Sequence, residues 1–447
     1  MNGTTKMGVI ALTGALGLIL GSARSLHAQA AAAGQDAAKP QPYTMAEYNA
    51  EQACAGEKAA AAQIKCLDDF VAKYPNSALL VYVYPMYIAD YNGLKNPQKL
   101  MEYSDKLVAL GDKAEAVVRY QALYARALAY ASLSPADQTA GATKARDAAL
   151  LGLKTLDELK KPDNVSDADF TKQKQQPTIL FNYTAGNASM LAKDYPAAVG
   201  SFKAVLALDP NDLGTNYNLG RAYMAMTPPQ QMDAFWYFAK SVTSKGATQA
   251  QADKIKKYLK GLIANYQGGN VCDSLTDGEL NELLQLAGSS AERPSSYTLP
   301  SATDISAVQK DMTIASVFTD LKTGGDKAKL TWLAACGLEF PEVPGKVIEV
   351  VPGDPLVLKI AFVTSDAEFD AATTPNMDVK VVGQPEAARV EKDSPVHFTG
   401  TLVSYDPDPA FFLHWDKAKV KAEDIPKEKT PKKPVRRPTR KPSGRSN

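Results

Sequence analysis

The chain has 447 residues, of which 45% are apolar, and its 50 basic and 49 acidic side chains leave a formal net charge of +1. This length is too great for one ordinary hydrophobic core and predicts two to four domains, while the apolar content excludes a wholly disordered chain. The neutral total conceals an asymmetry, because residues 427–445 hold nine Lys or Arg and one acid, Glu428. The rest of the chain is mildly acidic, so contact with polyanions is expected from this tail.

The chain starts with the pattern of an export signal. Lys6 precedes an apolar stretch over residues 7–21, and Ala28-Gln29-Ala30 fits a small-x-small cleavage site. The stretch of about 15 residues is short for a helix that must cross about 30 Å of hydrocarbon; an uncleaved membrane anchor is the alternative. We therefore predict a signal peptide at 1–30, a linker at 31–43, and a periplasmic or extracellular mature protein without a transmembrane helix.

Export makes the cysteines candidates for disulfide bonds. Their positions are Cys54, Cys66, Cys272 and Cys336. Four cysteines allow three pairings, and the sequence does not choose among them. Cys54 and Cys66 lie in neighbouring helices of one predicted hairpin, so a bond between them is one of the open options. The absence of a C-x-x-C motif disfavours a zinc site or a thioredoxin-like site.

Helical periodicity extends from about residue 44 to about residue 290. The apolar spacing and the Gly, Pro and Asn punctuation predict consecutive helical hairpins. Their approximate ranges are 44–74, 77–110, 114–159, 175–208 and 212–244, with a last pair at 247–265 and 276–287. Residues 160–177 contain Pro162 and Pro177, and we predict a loop or insertion there.

A nine-residue pattern recurs after 34 positions inside this helical region. Asn182 to Met190 is echoed by Asn216 to Met224, with identical Asn, Tyr, Gly, Ala and Met positions. Residues 179–212 resemble a tetratricopeptide repeat, and the next unit, from Leu213, resembles it with a two-residue insertion. The matching small, aromatic and proline positions are Gly186, Ala198, Phe202 and Pro210, then Leu219, Gly220, Tyr223, Ala234 and Phe238.

The resemblance implies an α-solenoid whose first helices line a concave groove. The family's groove positions, carried onto this sequence, give a peptide-binding set of Tyr183, Asn187, Met190, Tyr217, Asn218 and Arg221. Asn187 and Asn218 resemble the family's peptide-gripping amide pair, whereas Tyr183 stands where peptide-clamping members have lysine. The alternative interpretation is that the tyrosines pack between helices.

The period changes from 3.6 to 2 in the last quarter of the chain. After a linker at 291–303 and a helical junction at 304–344, five β-rich runs are predicted within 345–425. Their ranges are about 345–351, 355–364, 377–383, 396–405 and 410–416. The arrangement resembles an oligonucleotide/oligosaccharide-binding (OB) fold, with a small β-sandwich as the alternative. Residues 426–447, rich in Lys, Arg and Pro, are predicted to be a disordered basic tail.

Catalytic motifs are absent from the sequence. No H-E-x-x-H, G-x-S-x-G, phosphate-binding loop or dinucleotide fingerprint occurs. The only histidines after the signal are His397 and His414, and Ser404 and Asp406 are their nearest candidate triad partners. Each histidine is expected to lie on a strand face, so we predict no enzyme activity, no cofactor and no metal.

Together these patterns predict an α+β multidomain protein, with a solenoid of tetratricopeptide-like hairpins, an OB-like barrel and a basic tail. The expected function is an envelope scaffold that holds an extended segment of another protein in its groove. The alternative is a glycan- or nucleic-acid-binding protein that acts through the barrel and the tail. In that case Phe398, Tyr405, Phe412 or Trp415 would stack on the ligand.

Overall fold

The computed structural model of the protein describes residues 42–428. The predicted signal peptide, most of the following linker and the tail from residue 429 lie outside the described residues. The chain divides into two compact units, and the boundary falls between Leu208 and Asp209, within the predicted helical region of 44–290. Among the helices of residues 42–428, none is both long enough and apolar enough to cross a membrane.

The first unit is helical. Its α-helices are α1 (Met45–Gly56), α2 (Ala60–Lys73), α3 (Leu80–Gly93), α4 (Pro97–Val108), α5 (Ala116–Ala131), α6 (Pro135–Ala140), α7 (Ala142–Glu158), α8 (Asp167–Leu191) and α9 (Tyr195–Leu208). The Thr44 side chain accepts a hydrogen bond from the backbone N–H of Glu47, whose carboxylate accepts from the Thr44 N–H, and this capping box starts α1. A disulfide joins Cys54 of α1 to Cys66 of α2.

The predicted loop at 160–177 is helical in its second half. Helix α8 begins at Asp167, where the Ser166 side chain accepts from the backbone N–H of Asp169, and it continues through Pro177. A proline inside a helix costs about 3 kcal/mol because it removes one hydrogen bond. Capping at Ser166 and the full burial of Phe181 and Ala185 further along α8 offset that cost, so the helix does not end at the proline.

Close helix approach in the first unit depends on glycines that face aromatic rings. An added Cβ at Gly186 of α8 would lie 2.6 Å from the ring of Phe202 on α9, and one at Gly152 of α7 would lie 2.4 Å from the ring of Phe181. Both rings are fully buried. The helices therefore meet at a distance that only glycine permits at these positions.

The second unit begins with further helices. They are α10 (Leu213–Ala225), α11 (Gln231–Thr243), α12 (Gln249–Tyr266), α13 (Asp273–Ser289), α14 (Ala302–Lys310), α15 (Ile314–Thr323) and α16 (Gly325–Ala335). Gly220 of α10 faces Phe238 of α11, which repeats the contact seen between α8 and α9. A disulfide joins Cys272, the residue before α13, to Cys336, the residue after α16.

The strands of the second unit form a closed five-stranded barrel. They are β1 (Glu339–Val351), β2 (Leu356–Phe362), β3 (Met377–Val381), β4 (Pro395–Asp406) and β5 (Phe412–Val420), and a short helix, α17 (Asp366–Ala371), lies between β2 and β3. The strand order is β1-β2-β3-β5-β4. The β3–β5 pair is parallel and the others are antiparallel. Side chains of α15 and α16, including Val317 and Trp332, pack into the barrel core.

Strand β1 starts six residues before its predicted beginning at 345. Its first part pairs with β4 and its second part pairs with β2. Pro341 and Pro344 interrupt the alternating pattern on which the prediction rested, and the register shifts between Phe340 and Val343, where Glu342 has φ of +54°. Such a bulge bends the strand, and in this barrel β1 closes the ring by pairing on both sides.

Candidate functional site

Helix α8 carries three of the predicted groove residues in the first unit. Tyr183 and Asn187 are four residues apart and therefore share a helix face, and Met190 follows near the end of the helix. All three are half-buried. The Tyr183 ring lies 6.2 Å from the Phe202 ring, at 60°. Tyr183 thus packs between helices on one side and keeps part of its surface accessible.

Helix α10 carries the other three predicted residues, in the second unit. Tyr217 and Asn218 are half-buried and Arg221 is exposed. Tyr217 and Arg221 are four residues apart on one face of the helix. The Tyr217 ring lies 5.4 Å from the buried ring of Phe238 on α11.

A tyrosine on the next helix, which the sequence did not predict as a site residue, lies beside Tyr217 and Arg221. Tyr258 of α12 is 45% exposed, and its ring meets that of Phe238 edge-on at 5.3 Å. Burial raises the pKa of Tyr258, Tyr217 raises this pKa further, and the positive charge of Arg221 lowers it. Tyr217, Arg221 and Tyr258 therefore lie close together above Phe238, and we call these three residues the tyrosine–arginine patch.

Arg221 gives the patch one positive charge. Within residues 42–428 no carboxylate forms an ion pair with Arg221 or with Lys254, which lies one helical turn before Tyr258 on α12. Both cations are exposed. Tyr and Arg together are enriched at protein interfaces, because both offer a large planar contact surface and directional hydrogen bonds.

Continuing the repeat would have pointed to Tyr258. The first helix of the hairpin after the two recognised units is the helix that carries it, and that helix was predicted at 247–265. The sequence predicted this pair only as the last of the helical pairs, with no groove residue on it. The physical signal was a large aromatic residue on a lysine-rich helix, at a position where the apolar spacing did not require one.

Two of the four barrel aromatics proposed for ligand stacking are wrong for that role. Phe398 and Trp415 are fully buried in the barrel core, with their rings 5.4 Å apart in an edge-on arrangement. Tyr405 packs edge-on against Trp332 of α16 at 5.1 Å. Phe412 alone lies on the outer face, beside His414. Strand alternation places Leu413 and Trp415 inside and their neighbours outside, and this period was already visible in the sequence.

His414 does not form a triad with Ser404 in this arrangement. Ser404 is its register partner on β4. However, the Nδ1 atom of His414 lies 2.8 Å from Asp378 and the Nε2 atom lies 2.9 Å from Asp406. Both ring nitrogens are therefore engaged by carboxylates, and neither is placed to accept a proton from the serine.

His397 has one carboxylate partner. Its Nδ1 atom lies 3.1 Å from Asp424, and the same carboxylate accepts a 2.7 Å hydrogen bond from the His397 backbone N–H. This contact holds the start of β4 to the segment after β5. Over the described part of the chain, no group of three or more His, Cys, Asp or Glu side chains is arranged to hold a metal ion.

No protein-family model, curated protein or solved structure matches the chain at a significant level.

Proposed function

We propose that this protein is a non-enzymatic scaffold of the bacterial cell envelope that holds an extended segment of another protein on its helical hairpins. In this proposal the hairpins form a tetratricopeptide-like solenoid, and the first helix of each hairpin contributes to a peptide groove. In this proposal the predicted export signal directs the mature chain out of the cytoplasm. The basic tail provides a separate contact with polyanions.

The tyrosine–arginine patch is the observation that carries the proposal. Tyr258 exposes almost half of its surface although it lies directly above a packed helix interface. Folding gains little from holding a large aromatic side chain in that position, whereas a partner would gain a rigid apolar surface with one hydroxyl. Arg221 adds a cation that no described carboxylate neutralises. Exposed aromatic and arginine side chains in contact are typical of binding hot spots.

The first unit supports the same proposal through equivalent repeat positions. Tyr183 and Asn187 correspond in the 34-residue repeat to Tyr217 and Arg221. Each unit therefore presents a tyrosine and a polar side chain from the first helix of its recognised repeat. Helical-repeat proteins use extended concave surfaces for binding, and we propose an extended polypeptide as the ligand on that ground.

Site-specific crosslinking tests the proposal on the full-length chain. A photoreactive phenylalanine analogue at Tyr258 should crosslink to a discrete envelope protein, whereas the same analogue at the exposed Lys245 should not. Arg221→Ala should lower the yield of that partner about tenfold or more, as expected for a hot-spot arginine, while the neighbouring Lys257→Ala should leave it unchanged. Equal yields from Arg221→Ala and Lys257→Ala would refute the groove assignment.

Barrel topology favours the second candidate function. The order β1-β2-β3-β5-β4, with β3 parallel to β5, resembles the OB fold, in which the β1–β2 and β4–β5 connections border the ligand. Here these connections carry the exposed acids Asp354 and Asp408, and the exposed Asp406 ends β4 next to the second connection. Acidic borders repel phosphates, so an uncharged glycan is a better ligand than nucleic acid. Loss of the crosslinked partner in Phe412→Ala but not in Arg221→Ala would favour the barrel.

A further inference from the structure

Two polar contacts on the outside of the barrel join three strands through a single histidine. His414 lies on the outer face of β5, between its register partners Asp378 on β3 and Ser404 on β4. Its ring reaches Asp378 through Nδ1 at 2.8 Å and Asp406 through Nε2 at 2.9 Å. Asp406 is the last residue of β4 and the first before the connection to β5. We call Asp378, His414 and Asp406 the histidine clasp.

The chemistry of imidazole makes this geometry depend on a proton. Neutral imidazole carries one N–H, so it donates to only one carboxylate and turns a lone pair toward the other. Imidazolium carries two N–H groups and donates to both carboxylates at once. With both carboxylates ionised, both short contacts are hydrogen bonds only when the ring is protonated. Burial lowers the pKa of His414, but the hydrogen bonds to Asp406 and Asp378 outweigh it, and the pKa is raised above its usual value.

The charges around the ring support the same protonation state. The Lys359 ammonium of β2 lies 3.5 Å from the oxygen of Asp378 that His414 does not contact. Lys359 therefore shares Asp378 with the histidine and has no contact with Asp406. Apart from His414 itself, no Lys or Arg side chain among the residues that the structure describes forms an ion pair with Asp406. Asp416, two residues along β5, is a further acid on the same strand face. The local charge is thus acidic around a single histidine, and this favours its cationic form.

The two carboxylates differ in how firmly the rest of the barrel holds them. The Asp378 side chain is 17% exposed and has Lys359 as a second partner, whereas that of Asp406 is 62% exposed. Loss of the ring proton would leave the Nδ1–H donating to Asp378 and the Nε2 lone pair facing Asp406. Asp406 is then the partner that separates, and residues 407–411 between β4 and β5 move with it.

We propose that protonation of His414 fastens the β4–β5 connection to the outer face of the barrel, and that loss of this proton releases it. The charged ring is the form that bonds both carboxylates. The connection is therefore held at low pH and released as the pH rises through the pKa of His414 in the folded protein. In the OB-like interpretation this connection borders the ligand face, so the proton would control access to it. The clasp itself does not depend on that interpretation or on the proposed groove.

Two measurements on the full-length chain test the clasp. In NMR spectra, the ring resonances of His414 are those that disappear in His414→Gln. Their titration should give a pKa above the usual histidine value of 6.5. Amide exchange of residues 406–412, corrected for its intrinsic pH dependence, should become about three- to tenfold faster above that titration. The increase is modest because Asp406 is largely solvated.

Matched aspartate variants separate the clasp from general effects of pH. Asp406→Asn keeps the shape of the side chain and removes its charge, so the titration of His414 should fall and the exchange of 406–412 should no longer respond to it. Asp424→Asn alters the corresponding contact of His397 and should leave that response intact. A titration of His414 at or below 6.5, or equal corrected exchange on both sides of it, would overturn the proposal.

Discussion

The helical hairpins are stabilised mainly by contacts between helices that are adjacent in the sequence, whereas the barrel is stabilised by pairing between strands that are distant in the sequence. In the hairpins the closest contacts join adjacent helices: Gly186 meets Phe202, and Gly220 meets Phe238. In the barrel β1 pairs with β4, on the far side of β2 and β3 in the sequence, and β3 pairs with β5. Local contacts allow each hairpin to be damaged separately, whereas a closed ring depends on all of its strands. Three substitution experiments test this difference.

The largest effect is expected from removing one buried aromatic ring in each part. Phe202→Ala and Trp415→Ala should each lower the unfolding free energy of their own unit by about 3–5 kcal/mol, because each leaves a large cavity. After Phe202→Ala, hydrogen exchange measured by mass spectrometry should rise mainly in α8 and α9. After Trp415→Ala it should rise in all five strands.

Leu150→Ala, which truncates an exposed side chain of α7, is the control and should change stability by less than about 0.5 kcal/mol. If Phe202→Ala increases hydrogen exchange in the barrel strands as much as in α8 and α9, the hairpins do not respond locally.

The same difference in range decides how much of the fold the sequence predicts. The hairpin boundaries follow from local spacing, so helices such as α10 and α11 fall close to the predicted 212–244. The β-rich runs were also predicted, but their pairing depends on residues that are distant in sequence. The early start of β1 and its bulge at Glu342 follow from pairing with two partners, which no local pattern encodes. Likewise, capping and packing of α8 outweigh the local signal of Pro177.

The candidate sites show a similar limit. The repeat predicted Tyr217 and Arg221, since both occupy positions within one recognised unit. Tyr258 lies on the next hairpin, where the repeat signature has faded, and its proximity to Arg221 depends on packing over Phe238. The histidine clasp was missed for a related reason. Asp406 and His414 are near in sequence, but Asp378 reaches the ring only through the parallel β3–β5 pairing.

Removal of the disulfides is expected to have the next largest effect. Cys272–Cys336 spans 64 residues and Cys54–Cys66 spans 12. Loop-closure entropy predicts losses of about 4 and about 3 kcal/mol respectively. Paired Cys→Ser replacements at 272 and 336 should therefore lower the denaturant midpoint of the second unit more than replacements at 54 and 66 lower that of the first.

Circular dichroism reports the helical loss, and the unmodified chain with and without reductant provides the reference. If replacing Cys54 and Cys66 costs more stability than replacing Cys272 and Cys336, loop length does not control the contribution of these bonds.

The smallest effect, and the sharpest test of local packing, comes from glycines on neighbouring helices of one hairpin. Gly186→Ala places a methyl group 2.6 Å from the buried Phe202 ring, whereas Gly200→Ala on α9 meets nothing within 4 Å. The first change should cost about 1–3 kcal/mol through overpacking. The second should stabilise the first unit by up to about 1 kcal/mol, because alanine favours a helix more than glycine does.

Opposite signs of the stability change in thermal unfolding of the two variants would show that Gly186 is required by the approach of Phe202 and not by the backbone. Two stabilising changes would mean that α8 and α9 can separate to admit a methyl group, and the close glycine–phenylalanine contact would then not determine their spacing.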